Sequence, residues 1–86
     1  MITDIVIVIN SDEQKQRIED SITNDLFYTF IDERADKSKA YKFKYMFGTK
    51  MTPFAVAYDK DKPIRGFYGE AKEDVINSLI EYLNEK

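Results

Sequence analysis

The hydrophobic pattern starts with an uninterrupted β-branched run, Ile5-Val6-Ile7-Val8-Ile9. It is apolar at every position, which predicts a central strand covered on both faces. Asn10 and Ser11 break the run. Ser11 and Gln14 then form an S-x-x-Q capping box, with Asp12 and Glu13 in a first turn whose dipole favours acids. The spacing predicts a helix over Asp12 to Asn24. Its apolar stripe is narrow: Ile18 and Ile22, with Leu26 just beyond. Phe27 to Ile31 is rich in β-formers and predicts a second strand.

The stretch from Asp36 to Gly48 carries two periods at once. Ala40, Phe43 and Phe47 fall at helical spacing, and Gly48 is a natural helix stop. Tyr41, Phe43, Tyr45 and Phe47 also alternate with Lys42, Lys44 and Met46, as in a strand. We read it as a helix. Pro53 opens a third strand, Phe54 to Tyr58, a position where proline removes no ladder donor from the middle. Asp59 to Pro63 is a turn, and Ile64 to Tyr68 a return strand, so the pair makes a hairpin. Ala71, Val75, Ile76, Leu79, Ile80 and Leu83 mark the widest apolar face, predicting a last helix over Ala71 to Asn84. The order β-α-β-(α)-β-β-α implies a four-stranded mixed sheet in a three-layer α/β/α sandwich. Its first two strands are parallel through a right-handed crossover.

The chain has 86 residues, which fits one domain spanning 1–86. There is no Cys and no His. Thiol chemistry, cysteine zinc sites and the commonest general base are therefore excluded, and the pattern calls for no enzyme activity, metal or cofactor. The longest aliphatic run is far too short for a membrane span, and no basic segment precedes it. The expected address is cytoplasmic, with no membrane partner. Abundant Lys, Ile, Asn, Asp and Tyr suits a low-GC bacterium or its phage.

Net charge is −3, but it is unevenly distributed. Arg34, Lys37, Lys39, Lys42, Lys44 and Lys50 are offset only by Asp36, so the segment 34–50 is strongly basic and the remainder strongly acidic. As a solvated amphipathic helix, this segment would bury its Phe residues and expose its Lys residues. As a site, Lys37, Lys39, Lys42 and Lys44 beside Tyr41 and Tyr45 would dock an acidic protein surface. Nucleic acid, held by stacking and phosphate contacts, is the weaker reading for a chain that is acidic overall. The acids Asp12, Glu13, Glu19, Asp20, Asp25, Glu70, Glu73, Asp74, Glu81 and Glu85 form no recognised metal loop and read as solvated helix faces. Tyr28, Tyr58, Tyr68 and Tyr82 are expected half-buried, with packed rings and wet hydroxyls.

Met51-Thr52-Pro53-Phe54, followed by Ala55-Val56-Ala57-Tyr58, resembles the third-strand entry of the thioredoxin-like superfamily, as does the order of elements. Gly66-Phe67-Tyr68-Gly69 and the helix after it are similar to the family's fourth strand and terminal helix. In size the chain is nearer to glutaredoxin. The resemblance implies a cis-proline at Pro53. It also implies a groove beside Thr52 and Pro53, where backbone pairs with an extended peptide or with glutathione. The departure is at the first strand–helix junction. Asn10-Ser11-Asp12-Glu13-Gln14 stands where the family carries Cys-x-x-Cys, so disulfide exchange is absent. The function expected is that of a redox-inactive protein-interaction module. Alternatives are a binder of a small anion such as glutathione, or of nucleic acid through 34–50. The strand Phe27 to Ile31, as an edge strand, makes a homodimer a further expectation.

Overall fold

The computed structural model describes residues 2–22, 27–69 and 71–84. Seven elements follow one another: β1 (Asp4–Ile9), α1 (Asp12–Ser21), β2 (Phe27–Asp32), α2 (Lys37–Met46), β3 (Phe54–Asp59), β4 (Lys62–Phe67) and α3 (Lys72–Asn84). The strands form one mixed sheet in the order β2-β1-β3-β4. β1 runs parallel to β2, with Val6 opposite Thr29, and antiparallel to β3, with Val6 opposite Val56.

The continuous apolar run of β1 now has its explanation. Ile5, Ile7 and Ile9 project into a core shared with Ile18 of α1 and Val75, Ile76, Leu79 and Leu83 of α3. Val8 projects the other way, into a smaller core with Ile31, Ala40, Phe54 and Val56 beneath α2. Alternate residues of one strand serve two layers, so neither face can be polar.

Helix α1 starts at the predicted cap, Ser11, but the return bond of the capping box falls one residue earlier than expected, on Asn10. Ser11 Oγ accepts from the Gln14 N–H at 3.2 Å. Gln14 Oε1 reaches back to accept from the Asn10 N–H at 2.9 Å. That second bond draws Gln14 inside, to 7% exposure, although its residue type belongs on a surface. The helix ends at Ser21, with Ile22 as its C-cap. It is shorter than expected. The expected continuation through Asn24, together with Asp25, Leu26, Glu70 and Glu85, lies outside the described residues.

The 36–48 stretch resolves its double periodicity as a helix. Asp36 caps it by accepting from the Lys39 N–H at 3.1 Å. At the other end Gly48, with φ of 73°, donates to Tyr45 O at 3.0 Å, and Thr49 donates to Lys44 O at 3.1 Å. This is a Schellman closure, and its left-handed residue is the glycine. Phe43 and Phe47 turn toward the sheet, their centroids 5.7 and 5.8 Å from that of Phe54.

The hairpin is tighter than the sequence suggests. Asp59 pairs with Lys62, leaving only Lys60 and Asp61 as the loop, with Lys60 at φ 57°. Strand β4 therefore takes in Lys62 and Pro63 and ends before Tyr68. Proline is tolerated there because β4 is an edge, where a missing N–H can face outward. Tyr68 departs from expectation as well. It is 71% exposed, whereas Tyr82 packs on Phe67 at 5.2 Å.

Candidate functional site

Three connections meet at the end of the sheet where β1 and β2 finish and β3 begins. Asn10 follows β1, Glu33 follows β2, and Thr52 and Pro53 precede β3. The Thr52–Pro53 peptide bond is cis, and Pro53 is buried. Lys44, from the last turn of α2, joins the second and third of these connections.

Lys44 departs from the solvated lysine expected of a basic face. Its side chain is only 8% exposed. Its ammonium pairs with Glu33 Oε1, donates to Thr52 Oγ1 at 2.7 Å, and lies 3.4 Å from the carbonyl oxygen of Lys50. Thr52 Oγ1 in turn donates to Glu33 Oε1 at 3.0 Å. A buried ammonium has three donors to satisfy, and this arrangement supplies three acceptors. The Lys44 hydrogen bond holds the Glu33 carboxyl below its ordinary value of 4.5, against the opposing pull of burial. Thr52, the charge of Lys44 and a hydrogen bond from Asn10 act in the same downward direction. The signal for this node lay in the helical spacing and not in the alternation. On a helix with Ala40, Phe43 and Phe47 inward, residue 44 shares their face (i+4 from 40), so its head must find a partner.

Arg34 is committed as well. It forms hydrogen-bonded ion pairs with Asp32 and Asp12, both at 2.8 Å. The Asp32 carboxyl is lowered, first by the Arg34 side chain and then by the Arg34 backbone N–H. Of the basic segment, Lys37, Lys39, Lys42 and Lys50 remain exposed. Tyr41 and Tyr45 are 62% and 73% exposed, and their rings stack at 6.1 Å with 23° between planes. Met46 and Met51 are exposed beside them in sequence, at 71% and 46%. The structure thus divides the predicted residues. Lys37, Lys39, Lys42, Tyr41 and Tyr45 form the outer surface of α2. Lys44, Thr52 and Pro53 lie inward, in the joint between α2 and the sheet.

A separate hollow of about 360 Å³ opens between the starts of α1 and α3. Asn10, Ser11, Gln14, Arg17 and Lys72 line it, together with Glu13 and Glu73. Its charges are mixed, two acids against two bases, which gives it no net preference for an anion. Among the described residues no three metal-ligating side chains converge, and no helix is long and apolar enough to cross a membrane.

Comparison of the chain with known protein-family models, curated proteins and solved structures returns no match.

Proposed function

We propose that the protein is a redox-inactive, thioredoxin-like domain that acts by binding another protein, one with an acidic surface. The observation that carries this reading is the outer face of α2. Tyr41 and Tyr45 stack on each other in solvent, flanked by Lys37, Lys39 and Lys42, on a helix with no acidic residue. The fold does not need these two rings, because Ala40, Phe43 and Phe47 already fill the interior side. Exposed tyrosines with neighbouring cations suit a protein interface, where aromatic anchors are enriched and charge complementarity sets the partner. The sheet order β2-β1-β3-β4, with its terminal hairpin and last helix, supports the thioredoxin-like assignment. A chain without cysteine has no thiol exchange to perform. A role as an accessory protein of a low-GC bacterium or its phage accords with the composition.

The small-anion alternative is weaker. An anion beside Thr52 would need a free cation there, and the lysine that reaches Thr52, Lys44, has its charge paired with Glu33. Nucleic acid is disfavoured because three exposed lysines on α2 face a strongly acidic remainder of the chain.

A peptide-display selection on the intact protein tests the proposal. It is expected to enrich peptides with acidic residues around an apolar or aromatic side chain. Binding should weaken as salt rises and be lost in a Tyr45→Ala, Lys42→Glu variant that keeps its melting temperature. Enrichment of neutral or basic peptides, or equal binding by the variant, overturns it.

A further inference from the structure

The two edges of the sheet are built differently. The β4 edge carries the features that prevent strand addition: Lys62, Pro63 with no N–H to donate, a register irregularity opposite Ala57 and Tyr58, and Arg65. The β2 edge carries none of them. Phe27 to Ile31 holds no charge and no proline. Phe27 is 75% exposed, Tyr28 is 41% exposed, and Thr29 is exposed too. Among the described residues, β2 is bonded in the sheet to β1 alone. An edge of this kind is a template for another strand.

The geometry points to a second copy of this chain as that strand, paired antiparallel through β2 about a two-fold axis at Thr29. Such an axis, perpendicular to the sheet, keeps each residue on its own face, so the paired positions must match in face. With Thr29 opposite Thr29, Tyr28 stands opposite Phe30 of the second copy, and Phe27 opposite its Ile31. Each is a favoured cross-strand combination: hydroxyl with hydroxyl, aromatic with aromatic, aromatic with β-branched. Tyr28 and Phe30 already meet edge to face at 5.6 Å within one strand, so the pairing gathers four rings on the α1 and α3 side. Asp32, the first charge, falls outside the paired segment. The two strands arrive already ordered, whereas a free peptide would lose its conformational freedom on docking. The result is an isologous dimer with a continuous eight-stranded sheet, its open edges now the two guarded β4 strands. This inference is independent of the α2 reading.

The absence of cysteine makes the test clean. Thr29→Cys places one thiol from each copy on either side of the axis, where directly opposed residues lie within disulfide range. Under mild oxidation it is expected to form a covalent dimer about tenfold faster than Ile64→Cys on the β4 edge, because pairing raises the effective thiol concentration. Sedimentation of the unmodified chain should show a concentration-dependent dimer. Phe27→Lys, at a position already in solvent, should shift it to monomer with an unchanged circular dichroism spectrum. A monomer at near-millimolar concentration, or equal cross-linking rates for the two cysteine variants, overturns the proposal. So does a dimer insensitive to Phe27→Lys. Failure here leaves the peptide selection on α2 unaffected.

Discussion

The Lys44 ammonium donates to the Thr52 hydroxyl across 2.7 Å, joining the end of α2 to the residue before Pro53. Because Thr52 also donates to Glu33, each of the three side chains is held by the other two. The loop from Gly48 to Pro53 is thereby tied at its far end to the turn after β2, and its near end is set by the Schellman closure at Gly48.

Removing one member leaves each of the other two with one partner fewer in a part-buried joint. Lys44→Ala is expected to destabilise the fold by about 2 kcal/mol and Thr52→Val by about 1 kcal/mol, the second through loss of a hydrogen bond rather than a charge. Glu33→Gln with Lys44→Met should be less harmful than the sum of the single changes, with a coupling of about 1 kcal/mol or more. Urea denaturation of the four proteins measures this. Additive effects would mean that the pair contributes nothing as a pair.

The same node predicts an acid limb in the stability curve. The folded Glu33 carboxyl titrates below its ordinary value of 4.5, so the unfolded chain binds more protons in between. Stability from this group is fully present above pH 4.5 and is lost as pH falls through the lower folded value. Urea midpoints taken at successively lower pH should fall less steeply for Glu33→Gln than for the unaltered chain. The partly exposed Asp32, lowered by Arg34, leaves a residual slope in both.

Phe54 is the keystone of the smaller core. It is 1% exposed and meets the rings of Phe43 and Phe47. Phe54→Ala is expected to cost about 3–5 kcal/mol, by lost transfer and by the cavity left under α2. Amide exchange should show α2 losing protection before α1 and α3, whose own core does not include this ring.

Gly48 has room for a methyl group, with nothing within 4 Å of a built Cβ, but its φ is 73°. Gly48→Ala should therefore destabilise by about 1 kcal/mol through backbone strain alone. Gly48→Asn should recover part of that, since asparagine tolerates the left-handed region. Thermal melts of the two variants distinguish strain from crowding.

Tyr41→Ala with Tyr45→Ala should leave the unfolding free energy within about 0.5 kcal/mol of the unaltered chain, as is usual for exposed positions. A larger loss would show that the stacked pair serves the fold, and would weaken its reading as a docking face.

Local chemistry along the chain was enough for the elements themselves. The β1 run, the Ser11 cap, the Gly48 stop and the α3 stripe each follow from side-chain period and backbone preference between near neighbours. The hairpin was legible in the same way, although Pro63 could be placed inside β4 only once that strand was known to be an edge. Tertiary structure decided what happens between positions far apart in sequence. The pattern marked Lys44 as one of several surface lysines. It turns inward because Glu33, eleven residues earlier, and Thr52, eight later, converge where β2, α2 and β3 meet. Periodicity records which face of an element a residue occupies, while the partner on that face comes from the packing of other elements. The sequence already placed Phe27 to Ile31 at an edge; that β4 forms the other margin, with Lys62, Pro63 and Arg65 along it, came only from the pairing of the strands.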